Sequence, residues 1–168
     1  FVVGGVQEND LELLQTSAYL FHTLRLARVY YSGFNPVPDT PLEDRPPGNP
    51  LRNFRLYQAS YLMRDYGYSF EDMPLQADGN LPLDTDPKTA AANSLFAGRR
   101  LDVNKSSREE LLRVPGIGPL GGRRILEQRA QGRISDLDQL RRMGVSARRA
   151  APFLEFNSTG RIRQLALW

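Results

Sequence analysis

The chain of 168 residues contains no cysteine and only one histidine. Without cysteine it can form no disulfide, no thiolate zinc site and no cysteine-ligated iron–sulfur cluster. The histidine, His22, falls in a predicted amphipathic helix, where an isolated histidine usually lies at or near the surface. We therefore predict no catalytic residue and no metal ligand in this chain.

Long apolar runs are also missing, since no segment approaches the roughly 18 apolar residues that span a bilayer. No basic start followed by an apolar stretch indicates a signal peptide. Hydrophobic residues make up 40% of the chain and charged residues 24%, as in an ordinary globular domain. We expect no membrane partner and a cytoplasmic location. Because the chain opens on FVVGG without methionine, we interpret it as a piece of a longer protein.

Charge is unevenly divided along the chain. Residues 1–98 hold 7 Lys and Arg against 12 Asp and Glu, a net of −5, whereas residues 99–168 hold 15 against 7, a net of +8. This division predicts two functional parts, the second facing a polyanion. Fourteen of the 15 basic residues in the second part are arginine, which favours phosphate recognition. The alternative is an arginine-rich surface that serves only solubility.

A strand, a helix and a second strand are predicted at the start of the chain. Phe1 to Val3 is a short apolar run, Asn9 has the character of a helix N-cap, and residues 28–34 are rich in β-branched and aromatic side chains. A strand–helix–strand unit of this length favours a parallel sheet. Six prolines between residues 35 and 50 then exclude a helix there.

A helix is predicted from Leu51 to Tyr66, ending at Gly67. Four apolar side chains lie on one side of it: Phe54, Tyr57, Tyr61 and Leu62. This stripe could stack nucleobases, but stripes of this kind usually face inward, so we favour core packing. Asp86 followed by Pro87 predicts the start of a further helix.

The most specific pattern lies between residues 107 and 126. Ser107 and Glu110 form a predicted capping box, a Pro-Gly-Ile-Gly turn follows, and Pro119 begins a second helix. Glycine lets a ligand backbone approach closely, and the first N–H groups of a helix favour an anion. Gly122 falls where two crossing helices require a small residue. The pattern predicts a helical hairpin that binds nucleic-acid phosphates without reading bases.

The phosphate site is predicted at the backbone of Gly116, Ile117 and Gly118, with Ile117 pointing inward to hold the turn. Arg123 and Arg124 are expected to bind the neighbouring phosphates. Arg113 and Arg129 are weaker candidates.

A second, degenerate hairpin is predicted over residues 135–154. Only one glycine, Gly144, remains in its turn, so its grip on phosphate should be weaker. Ser146 is expected to cap its second helix, and Arg148 and Arg149 are further candidates for contact with the nucleic-acid backbone.

The segment LDVNKSSREELLRVPGIG, Leu101 to Gly118, resembles the tandem helix-hairpin-helix domains of DNA-uptake receptors and repair proteins. The Asp-Val-Asn lead-in is typical of that group, and the resemblance covers residues 101–154. The resemblance implies binding of nucleic acid, most simply duplex DNA. A hairpin that only packs, or that binds a protein partner, is the alternative.

The remainder resembles the later part of a radical SAM barrel, in particular a family of radical SAM proteins of DNA modification and repair that end in a helix-hairpin-helix. The shared order is a barrel strand, a Tyr-Tyr-Ser stretch, a Pro-rich loop, an Arg-Leu-Tyr-Gln helix at Arg55 to Gln58, an Asp-Pro-Lys helix at Asp86 to Lys88, and the hairpins. This resemblance spans nearly the whole chain.

The second resemblance implies an enzyme that uses a [4Fe-4S] cluster and S-adenosylmethionine. This chain lacks the Cys-x3-Cys-x2-Cys motif that holds the cluster, so the motif would lie upstream and the chain alone should be inactive. By the same resemblance Val3 to Gly5 could line the S-adenosylmethionine pocket, although a simple strand-to-helix turn is favoured.

The expected fold is an α/β fragment, the βαβ remnant of a radical SAM barrel, followed by an all-α tandem helix-hairpin-helix domain. Its predicted parts are the barrel remnant with its Pro-rich loop (1–50), a helical connector (51–98), the hairpin domain (99–156) and a C-terminal tail (157–168). The expected function is DNA binding within a larger modification or repair enzyme. A pure DNA-binding module and a protein-interaction module are the alternatives.

Overall fold

The computed structural model describes residues 1–156, and the predicted tail, 157–168, lies outside them. The described chain is mixed α/β and mostly helical. Its helices are α1 (Asp10–His22), α2 (Pro50–Asp65), α3 (Pro87–Leu95), α4 (Arg108–Arg113), α5 (Pro119–Gln131), α6 (Leu137–Arg142) and α7 (Ala147–Ala150). Its strands are β1 (Val2–Val3), β2 (Ser32–Gly33), β3 (Leu101–Asp102) and β4 (Leu154–Glu155).

Side-chain caps fix most of the helix starts, as the sequence predicts. Asn9 accepts a hydrogen bond from the Glu12 N–H at 3.0 Å, and Asp86 caps α3 with Pro87 in its first turn. The Ser107 hydroxyl accepts from the Glu110 N–H at 3.1 Å, and the Glu110 carboxylate accepts from the Ser107 N–H at 2.8 Å. The predicted capping box is therefore confirmed.

The predicted βαβ unit forms, since β1 and β2 pair in parallel around α1. The second strand is much shorter than the predicted run over residues 28–34. The Tyr31 N–H donates to the Tyr57 hydroxyl at 3.1 Å, and the Tyr31 hydroxyl lies 2.6 Å from the Ser17 hydroxyl. Tyr31 is thus bonded to α1 and α2, and β2 consists of Ser32 and Gly33 alone.

The described residues form two apolar cores that meet in α3. The first core includes Leu14, Leu56 and Leu81, and the second includes Ile117 and Ile125. A buried carboxylate on α1 also stabilises the first core. Asp10 accepts from the Arg52 Nε at 2.7 Å and from the Leu81 N–H at 2.9 Å, which joins α1 to α2 and to the loop before α3.

The prediction that the aromatic stripe of α2 faces the core is wrong for two of its residues. Phe54 is 55% exposed and Tyr61 is 51% exposed, whereas Leu62 is buried. The face of α2 that packs inward carries Leu56, Ala59 and Leu62 instead. Because the helix turns about 100° per residue, Phe54 and Tyr61 share a different face from these three.

A second pair of parallel strands, not predicted from the sequence, joins the two ends of the hairpin domain. Leu101 of β3 pairs with Leu154 of β4, and the Val103 N–H donates to the Glu155 carbonyl at 3.2 Å. Among residues 1–156, no helix is long and apolar enough to cross a membrane.

Candidate nucleic-acid interface

The turn between α4 and α5 is held by its central isoleucine. Ile117 is 1% exposed, which confirms that its side chain points inward. Its N–H donates to the Val114 carbonyl at 3.1 Å. That amide is therefore used within the turn, and the predicted site residue contributes an anchor rather than a free donor.

Gly116 is the contact between the two hairpins. Its φ is +87°, and a Cβ built on it would lie 2.5 Å from the Ser146 carbonyl oxygen. Its own carbonyl accepts from the Ser146 N–H at 2.9 Å. Only glycine satisfies both this backbone conformation and this close approach. Gly116 thus joins the first turn to the start of α7.

The N-terminus of α5 is open. Its N-cap is Gly118, which has no side chain to accept the first N–H groups, whereas α1, α2, α3, α4 and α6 are each capped by the side chain of the N-cap residue. Within residues 1–156 the N–H groups of Gly118, Leu120 and Gly121 have no hydrogen-bond acceptor. A Cβ on Gly118 would meet one neighbour, the Tyr66 hydroxyl at 3.4 Å.

These three donors stand at the positive end of a 13-residue helix. Helix N-termini with free N–H groups bind phosphate and carboxylate groups. An anion in front of Gly118 would meet the N–H groups of Gly118 and Leu120 first, because Gly121 is buried and a Cβ on it would lie 3.1 Å from Val145 Cγ2.

The predicted arginines differ in their environments. Arg123 makes an exposed pair with Glu127 at 3.5 Å, which is worth little and easily exchanged. Arg124 donates to the Met143 carbonyl at 3.2 Å and so reaches the second hairpin. Arg148 is exposed and has no partner among residues 1–156. Arg149 donates to Asp86 at 2.7 Å.

The two weaker candidates take part in tertiary bonding. Arg113 pairs with Asp72 at 2.7 Å and lies 4.0 Å from the centre of the Tyr68 ring. Arg129 donates to the Ser106 carbonyl at 2.6 Å. Arg113 thus joins the hairpin domain to the preceding part of the chain, and Arg129 makes a bond within the domain.

The second hairpin repeats the backbone of the first but not its donors. Gly144 has a φ of +82°, and Val145 after it is buried like Ile117. The Ser146 N–H, which corresponds to that of Gly118, is already bonded to Gly116. The Ser146 side chain makes no capping bond, so its predicted role as a side-chain cap is wrong. At this position the second turn therefore has no free N–H group where the first turn has one.

Lys88 and Tyr66, which the sequence did not indicate as site residues, adjoin the first turn. The Lys88 ammonium donates to the Ile117 carbonyl at 2.5 Å and lies 4.5 Å from the centre of the Tyr66 ring. Lys88 is 9% exposed. Burial, helped by the nearby charge of Arg149, lowers the pKa of Lys88 to about 7, and Asp86 opposes that shift. The only sign of this buried lysine in the sequence is that lysine is rare in a chain so rich in arginine.

The described residues do not fit the cofactors that the second resemblance implies. No cysteine is available for a cluster. Val3 is buried in the first core. A Cβ on Gly4 would lie 3.0 Å from the Gly48 Cα, so the Pro-rich loop already occupies the space beside Gly4. Gly4 itself has a φ of +91°, as in a turn. Val3 to Gly5 therefore offer no cradle for S-adenosylmethionine.

Comparison of the chain with protein-family models, with curated proteins and with solved structures finds no significant match.

Proposed function

We propose that this chain binds duplex DNA without sequence preference, through a phosphate clamp at the N-terminus of α5. The N–H groups of Gly118, Leu120 and Gly121 bind one phosphate. Arg123 and the exposed Arg148 bind phosphates on either side of it. Gly116 and Ile117 hold the turn in place, and the Ile117 N–H is used within it.

The observation that carries the proposal is the open N-terminus of α5. Five other helices of the described chain begin at a residue whose side chain caps them, whereas α5 begins at a glycine, with three unused N–H groups at its start. The net charge of +8 over residues 99–168 supplies the long-range attraction to a polyanion. Contacts of this kind position DNA and carry no sequence information.

The test replaces Gly118 by aspartate. The backbone there is extended, with φ −99° and ψ 175°, and aspartate is a favourable N-cap. The new carboxylate would accept the free N–H groups itself and repel phosphate. We expect the helix to be stabilised by a few tenths of a kcal/mol, while affinity for a short duplex falls about 10- to 100-fold. The slope of log K against log salt should shrink by about 1.

Gly132→Asp provides the matched control. Gly132 is the C-cap of the same helix, with φ 171°, and a Cβ there would meet no atom within 4 Å. The charge change is identical, but the site lies about 20 Å from the clamp. Fluorescence anisotropy and thermal melting should be recorded on both variants. Equal loss of binding in the two variants, or none in either, would contradict the clamp and favour a protein partner.

We further propose that this chain is part of a radical SAM enzyme that modifies or repairs the DNA held by the clamp. The support is the shared order of segments, from the first strand through the Tyr-Tyr-Ser stretch to the hairpins. Cysteines spaced Cys-x3-Cys-x2-Cys before Phe1 in the full-length chain would support this proposal, and their absence from it would overturn it.

A further inference from the structure

An open cleft of about 330 Å³ lies beside the hairpin turn, between α2 and the start of α3. Its apolar wall comes from one face of α2, where Phe54, Tyr57 and Tyr61 follow one another at helical spacing. Lys88 and Arg149 supply its polar end. We call this set of residues, together with Tyr66, the aromatic cleft.

The aromatic cleft and the phosphate clamp lie side by side. The Tyr66 hydroxyl stands 3.4 Å from the position of a Cβ on Gly118. Lys88 bonds to the Ile117 carbonyl of the turn and lies over the Tyr66 ring. A strand whose phosphate is held at Gly118 is therefore at the mouth of the cleft.

The charge of the aromatic cleft suits the same strand. Asp86 is its one carboxylate, and that carboxylate is paired with Arg149 at 2.7 Å and also accepts from the Thr89 hydroxyl at 2.8 Å. Lys88 is paired with no carboxylate directly, and its pKa of about 7 leaves it partly charged at neutral pH. Arg64 covers one face of the Tyr61 ring at 4.4 Å and is paired with Asp65 at 2.8 Å, so the other face of that ring is the one left for a base.

We infer that the aromatic cleft takes an unpaired nucleobase of a DNA strand whose phosphate is bound at Gly118, by stacking on Phe54 and Tyr61. The inference rests on the proposed clamp and adds the kind of DNA that the chain prefers: a duplex with a base displaced from its pair. Exposed aromatic rings beside cations are the usual means of binding unstacked bases, and they tolerate any base because each has a π-face. The volume lies within the range of small-ligand sites.

The experiment compares two labelled duplexes that differ by a single unpaired base. We expect wild-type protein to bind the bulged duplex about 5- to 100-fold more tightly than the paired one. Phe54→Ala should abolish that preference and leave the affinity for the paired duplex unchanged. Phe54 is exposed and makes no ring–ring contact within residues 1–156, so its removal should not disturb the fold. Tyr61→Ala should act in the same direction.

Tyr19→Ala is the matched control, since Tyr19 is also about half exposed but lies on α1, outside the aromatic cleft. The inference is overturned, with the clamp intact, if wild-type protein binds the two duplexes equally or if Tyr19→Ala and Phe54→Ala behave alike. If Gly118→Asp leaves the affinity for the paired duplex unchanged, both the clamp and the inference fall, because the strand then has no anchor beside the cleft.

Discussion

Replacing Lys88 by methionine should change how the stability of this chain depends on pH. The pKa of this ammonium falls from 10.5 to about 7 in the folded chain, mainly because it is buried. In the unfolded chain the side chain is hydrated and titrates near its ordinary value. The two states therefore bind different numbers of protons between pH 7 and about 10.5.

The sign follows from which state holds the proton. Below pH 7 both states are protonated, and the folded state bears the full cost of a buried charge. As the pH rises above 7, the folded state loses the proton first and that cost fades. The free energy of unfolding should therefore rise by about 1 kcal/mol per pH unit over this range. Methionine removes that dependence.

Urea unfolding at a series of pH values from 6 to 9 measures the effect. Methionine also leaves the Ile117 carbonyl without its donor, which costs about 1–3 kcal/mol. That loss is the same at every pH. The test is therefore whether the difference in the free energy of unfolding between variant and wild type changes with pH. Lys105→Met is the control. Because Lys105 is exposed, its replacement should change the free energy of unfolding by the same amount at every pH. Parallel pH curves for wild type and Lys88→Met would refute the reasoning.

Two further substitutions test the packing. Gly122→Ala should raise the free energy of unfolding by about 0.5–1 kcal/mol and the Tm by about 2–4 °C. The reason is that the added Cβ would lie 3.4 Å from Leu112 Cδ2, which is an ordinary contact. A lower Tm would show that the two helices have no room for the methyl group. Asp10→Ala should lower the free energy of unfolding by about 2–4 kcal/mol, since it leaves the buried Leu81 N–H without an acceptor and removes one of the two carboxylates that pair with the half-buried Arg52. A loss below about 1 kcal/mol in urea unfolding would mean that the ion pair behaves as a surface pair.

The helix starts were predictable because the information for them is local. Asn9, Asp86 and Ser107 each sit within three residues of the N–H group that they accept. The inward position of Ile117 was predictable for the same reason, because glycines flank a single apolar residue. A capping bond needs no knowledge of the rest of the chain.

The aromatic cleft was not predictable, because it depends on which face of α2 is covered. Sequence periodicity places Phe54 and Tyr61 on one side of a helix but does not say what packs there. The bond from Lys88 to Ile117 joins residues 29 positions apart. The two-residue strands β3 and β4 are too short to show any alternation of polarity.

The pairing of Leu101 with Leu154 also bears on the order of folding. Apart from Ala92 and Phe96, the buried residues of the second core lie from β3 to β4, so the pair closes a loop that contains both hairpins. During synthesis the hairpins emerge before β4 does, and α4 and α5 can meet while β3 still has no partner strand. Contacts so distant in sequence form slowly. The second core should therefore be completed only when residue 154 has left the ribosome, and the amides of β3 should be among its last to gain protection from hydrogen exchange.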